Sequence, residues 1–199
     1  MKSRLRRVGT ELLILAAVIV CSLAARSALA DHYYIPSESM EFSLRAGDRV
    51  LVDKTAYGLR VPFTSVKITD GALPERGAIV VFDSPESGVR LIKRVVAVAG
   101  DTVAVHDGKL TINGERLESK TAADLELFGE RQAQLNLTGG GGPDMGTTVV
   151  PEGKVMVMGD NRGNSRDSRA FGFISRDEIY GHAFRLYYRR GDGFVWRPI

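Results

Sequence analysis

The sequence predicts a mainly β protein: a single apolar helix of membrane-spanning length, then a β-sheet core carrying a small inserted β lobe. Three observations predict it. Residues 12–30 are almost wholly apolar, the later chain holds eight segments rich in β-branched and aromatic residues, and turn-forming dipeptides separate those segments.

The N-terminal stretch comes first. Residues 12–30 read LLILAAVIVCSLAARSALA, which as a helix spans about 28 Å, enough for a bilayer core. Arg26 lies near its end, where a long side chain reaches the headgroups. Of the net charge of +3, residues 1–30 contribute Lys2, Arg4, Arg6, Arg7 and Arg26 against Glu11, so the remaining body is close to −1. Basic charge ahead of the apolar run keeps residues 1–11 cytoplasmic and places residues 31–199 on the other side of the membrane. A near-neutral body has no electrostatic footprint for nucleic acid. The same stretch also reads as a cleavable secretory signal, with Ala28-Leu29-Ala30 before Asp31. Both readings export the body and differ in whether it stays tethered. Cys21 is the only cysteine, so an intramolecular disulfide and a cysteine-based metal cluster are both excluded.

Strands are expected over residues 49–52, 78–82, 90–98, 102–105, 110–112, 147–150, 154–158 and 183–188, with turns at Gly100-Asp101, Asp107-Gly108, Asn113-Gly114 and Glu152-Gly153. Helix is slight: a short one is expected near residues 122–128. The glycine run 139–142 makes a flexible connection. Residues from about 101 to 151 read as an insertion between two halves of one β core. Tyr57, Val61, Pro62, Phe63 and Trp196 are expected in the core rather than in lipid.

Chemistry centres on Ile35-Pro36-Ser37-Glu38-Ser39-Met40, two hydroxyls beside a proline-set turn. Serine is a poor nucleophile without a base, and Ser39 alone could equally be an N-cap opening a short helix. His32, His106 and His182 have no triad-like context. Lys93 differs from the other lysines: strand alternation puts it on one face with Leu91, Val95 and Ala97, where desolvation lowers its pKa and frees an amine to act as a base. A strand-edge lysine whose charge reaches water fits the same pattern. The third element, Gly159 to Arg169, is dense in short polar side chains and Asp–Arg pairs, which suits a loop of defined shape. Its spacing is not that of a calcium loop, since Arg162 stands at a ligand position, and no metal is expected.

In this order, the membrane segment, Pro36-Ser37-Glu38-Ser39-Met40, the stretch Gly47 to Lys54 with Tyr57-Gly58, Lys93-Arg94-Val95-Val96 with Gly100-Asp101, and Gly159-Asp160-Asn161-Arg162 through Ser165, Asp167 and Arg169 resemble bacterial signal peptidase I, the Ser/Lys leader peptidase family. The resemblance implies the signal-peptidase type of β-sheet core. It implies Ser39 as nucleophile and Lys93 as general base, with Ser165 orienting the lysine and Asp167 and Arg169 supporting it. The oxyanion hole would be the Ser39 backbone N–H and the Ser37 hydroxyl. Ile35, Met40, Leu44 and Ile92 match positions lining the small apolar pockets that select Ala-x-Ala sites.

Three positions depart from the family pattern. Met40-Glu41-Phe42-Ser43-Leu44 stands where Met-x-Pro-Thr-Leu is usual, Gly163 stands for an aspartate, and Glu38 for a frequent glycine. The resemblance implies a monomeric, cofactor-free serine endopeptidase of the bacterial cytoplasmic membrane, its partners the bilayer and the signal peptides of exported precursors. Two other readings are a specialised Ser/Lys peptidase of a conjugation or pilus system, and a non-catalytic exported binding or assembly module on the same fold.

Overall fold

A computed structural model of the chain describes residues 11–20, 22–23, 29–59, 61, 64 and 66–199. Its strands in chain order are β1 (Ala30–Tyr34), β2 (Arg49–Asp53), β3 (Ile79–Asp83), β4 (Arg90–Val98), β5 (Thr102–His106), β6 (Lys109–Ile112), β7 (Glu115–Arg116), β8 (Leu125–Phe128), β9 (Arg131–Gln134), β10 (Met145–Val149), β11 (Lys154–Met158), β12 (Ile174–Ser175), β13 (Ile179–Arg189) and β14 (Gly193–Pro198). One short helix, α1 (Ser168–Phe171), precedes β12. The mainly β prediction holds.

Eight strands form the principal sheet in the order β1-β2-β13-β3-β4-β11-β12, with β14 paired to β13. Both faces of its centre are covered. Ile79, Val81 and Ile92 pack with Ile35, Met40, Leu44, Val50 and Leu186 on one side. Val80, Phe82 and Val95 pack with Tyr57, Val157 and Ile179 on the other. A strand buried on both faces needs no polar alternation, which is why β3 reads as the continuous apolar run Ile79-Val80-Val81-Phe82. A second sheet, β10-β5-β6-β7, and the β8–β9 hairpin lie between β4 and β11 in sequence. Their apolar side chains, including Val103, Leu110 and Phe128, join Val96, Ala97, Met156 and Met158 in a third cluster.

Several expectations are corrected. The short helix expected near residues 122–128 is strand: β8 turns Glu126 and Phe128 inward and leaves Leu127 exposed, a period of two hidden because one inward residue is charged. Tyr57 is buried as expected, whereas Trp196 is 58% exposed and stacks on exposed Phe194; Val61 is also exposed, and residues 62 and 63 lie outside the described residues. The anchor expected over residues 12–30 falls partly outside them too, as does most of the basic segment 1–11. Residues 11–20, 22 and 23 are helical, and among the described residues no helix is long and apolar enough to cross a membrane. Ala30, placed at the end of the anchor, instead opens β1 opposite Asp53.

Candidate active site

The turn after β1 carries Ser39, and β4 carries Lys93. The turn is fixed from three directions: the Ile35 amide donates to Asp48 O at 2.9 Å, the Asn161 amide to Ser39 O at 3.1 Å, and Asn161 Nδ2 to Glu38 O at 3.2 Å. Beneath it Ile35, Met40 and Leu44 are inserted into the core. Gly159 permits the close approach of the following loop, because a Cβ there would collide with Ser39 O and the Ser165 side chain.

Lys93 Nζ lies 2.6 Å from Ser39 Oγ and 3.1 Å from the Ile92 carbonyl, and the lysine is 3% exposed. Leu91 and Val95, on the same face as expected, pack in the cluster around Phe82, whereas Ala97 belongs to the third cluster beyond a register shift between β4 and β11. Burial lowers the lysine pKa to about 8, against the opposing pull of Asp167 and Asp160. That pull is smaller than the effect of burial, and there is a physical reason. Asp160 accepts two bonds from Arg94, at 2.9 and 2.7 Å, and one from Ser43 at 2.5 Å. Asp167 accepts two from the Arg169 guanidinium, both at 2.9 Å. Carboxylates already paired with arginines are poor counter-ions for a neighbouring ammonium.

Of the other expected site residues, Ser37 Oγ is 3.3 Å from Ser39 Oγ. Asp167 caps α1 and accepts the Gly159 amide at 3.1 Å, while Arg169 donates to Gly141 O and Arg162 O, so this pair braces the loop behind the serine. Ser165 does not bond Lys93. Its Oγ is buried without a hydrogen-bond partner, and the lysine amine is already directed to Ser39 Oγ and Ile92 O. Ile35, Met40, Leu44 and Ile92 meet in one cluster, each at 3% exposure or less, so they form the floor under the serine turn rather than an open wall. The histidines are elsewhere: exposed His32 on β1, His106 bonded to Asp144 in the lobe, and His182 beside Tyr57.

Sequence reasoning missed Glu126. It forms a bidentate ion pair with Arg162, at 3.0 and 2.5 Å, in which both residues are essentially without exposure. Arg162 also donates to Gly159 O at 3.1 Å, so this pair ties the inserted lobe to the loop that touches Ser39. Thirty-six residues separate the partners, and no local pattern marks such a match.

A cleft of 370 Å³ opens over the dyad, lined by Ser37, Ser39 and Lys93, by the β3–β4 turn, and by Asn164, Arg166 and Phe171. On this side β11 pairs with β4 only as far as Arg94, opposite Met158, so residues 90–93 pair with β3 alone.

A serine hydroxyl in contact with a desolvated lysine, on a mainly β core, is the arrangement of a Ser/Lys hydrolase. The family described as signal peptidase, peptidase S26, matches residues 6–188, and this chain belongs to it; it is a serine endopeptidase. Among similar proteins are the probable signal peptidase I-2 of Synechocystis, 31% identical over 85% of this chain and 68% of its own length, and the signal peptidase I of Pseudomonas fluorescens, 34% identical over 85% and 69%. The probable signal peptidase I-1 of Synechocystis is 34% identical over 87% of this chain and 80% of its own length.

Proposed function

We propose that the chain removes signal peptides from exported precursor proteins, with Ser39 as nucleophile and Lys93 as general base. The observation that carries this reading is the 2.6 Å contact between a buried lysine amine and the serine hydroxyl. While protonated, the amine donates to Ser39 Oγ; once neutral it accepts the hydroxyl proton as the oxygen attacks the scissile carbonyl. The resulting ammonium then returns a proton to the leaving amine. The developing oxyanion is held by the Ser39 N–H and by the Ser37 hydroxyl, whose position beside Ser39 Oγ suits that task. An extended substrate segment lies along the open edge of residues 90–93, adding a strand where β11 stops. Small apolar residues before the scissile bond fit a cleft whose apolar lining beside the dyad is Val89, Leu91 and Phe171.

The body is tethered by the apolar N-terminal segment, with the N-terminus cytoplasmic and the catalytic domain outside the bacterial cytoplasmic membrane. Support comes from β1: the Ala30–Asp31 bond, the one a signal-like reading would cut, lies inside a paired strand, and the Lys54 amide donates to Leu29 O at 3.1 Å.

Ser39→Ala and Lys93→Met are each expected to lower precursor cleavage by at least about 10³-fold while leaving the circular-dichroism spectrum unchanged. Cleavage of a purified precursor, followed by mass spectrometry, checks this; retention of full activity by either variant overturns the dyad.

A further inference from the structure

The cleft has two walls that come from distant parts of the chain, and one ion pair spans them. One wall is the β3–β4 turn. It is held in shape by the buried Ser84, whose amide donates to Val89 O at 2.9 Å, whose carbonyl accepts the Gly88 amide at 2.8 Å, and whose hydroxyl receives the Glu86 amide at 3.4 Å. The other wall is the loop leading into α1. It is fixed by Asp167 at the helix cap and by Ser168, whose Oγ receives the Val157 amide at 2.9 Å. Each wall is therefore locally rigid, but strand pairing does not join them here, because β4 and β11 part at Arg94 and Met158.

Across this gap Arg166 meets Glu86 in a fork: Nε donates to one carboxylate oxygen at 2.8 Å and Nη2 to the other. Arg166 in turn draws the Glu86 carboxyl below its ordinary range. Both side chains line the same cleft as Ser39 and Lys93, and both stand well out in solvent. An exposed pair of this kind adds little to global stability. Its position gives it a different use. The bidentate geometry fixes both distance and orientation, and the distance it fixes is the width of the slot beside residues 90–93.

We infer that Glu86 and Arg166 are a positioning pair for substrate binding, setting the spacing of the cleft walls to admit one extended peptide strand against β4. Neither touches the reacting atoms, so the pair acts on the association of the peptide and leaves the chemical step to the dyad. This inference rests on the peptidase reading above, and its test separates the two.

The test is steady-state kinetics of the full chain in detergent, using a precursor-derived peptide, with Ser39→Ala as the reference for dyad-dependent cleavage. Glu86→Gln and Arg166→Gln are each expected to raise KM roughly two- to five-fold with kcat retained, the size expected for an exposed pair. The charge-swapped double variant, Glu86→Arg with Arg166→Glu, is expected to restore the wild-type KM. Added salt should raise the wild-type KM toward that of Glu86→Gln and leave the Gln variant unmoved. Unchanged KM in both single variants, a fall in kcat alone, or a double variant no better than the singles would each overturn the inference. Cleavage by wild-type that persists in Ser39→Ala would instead overturn the peptidase reading itself.

Discussion

Lys93 sits where a lysine is least comfortable and most useful. With its pKa at about 8 instead of 10.5, most of it is protonated at neutral pH, and the reactive fraction grows as pH rises. kcat/KM is therefore expected to climb about tenfold per pH unit below 8 and to level off above it, an ascending limb that a pH–rate profile reads directly. Stability follows the same titration. The unfolded chain binds the lysine proton more tightly than the folded one, so stability rises with pH between about 8 and 10.5 and is lost as pH falls through the folded value. The cost of holding this ammonium at neutral pH is on the order of 3 kcal/mol. Lys93→Met, which removes the charge and keeps the length, should thus be inactive yet melt several degrees higher, a rise of roughly 1–3 kcal/mol in stability by denaturant titration. The burial of Lys93 was legible because Leu91 and Val95 flank it at strand spacing. The place of Ser165 was not, because its side chain sits where Gly159 comes close to Ser39, an approach across 120 positions of sequence.

Among the elements, β8 is the one whose identity the residues conceal. Leu125-Glu126-Leu127-Phe128 has good helix formers and no apolar alternation, and only the partner Arg162 explains why the inward residue is an acid. The pair holds the lobe to the active-site loop. Arg162→Met strands a buried carboxylate and should lower stability by roughly 3–5 kcal/mol, whereas Arg162→Met combined with Glu126→Leu should recover most of the loss, as thermal melts of both would reveal. The strands β2, β3, β4, β5 and β11 were readable because β-branched runs bounded by glycine turns say the same thing at every level. β1 was not. Ala30 reads as the end of the apolar segment and residues 31–34 are not among the expected strands; they become a strand because the edge of β2 is there to receive them. Intact-mass measurement of membrane-extracted protein should accordingly find a chain that begins ahead of residue 12; a dominant species starting at Asp31 would contradict retention of the tether.

On the scale of the molecule, the sheet draws its strands from the full length of the chain. β13 is its central member: it separates β2 from β3, pairing with Asp53 to Arg49 on one side and with Phe82 to Ile79 on the other. Ser39 is positioned from the β2 side and Lys93 from the β3 side. β13 thus pairs the two sides within the sheet, in addition to the ties the serine turn makes to Asn161 and, through Ser43, Asp160 and Arg94, to β4. Synthesis delivers β13 after every other strand of the dyad's support, and sheets closed by such distant pairings form slowly. Timing follows from topology. With the proposed dyad, a chain that has not yet supplied residues 179–189 lacks the strand that pairs the β2 side with the β3 side, so precursor cleavage is expected to begin only once that strand has paired.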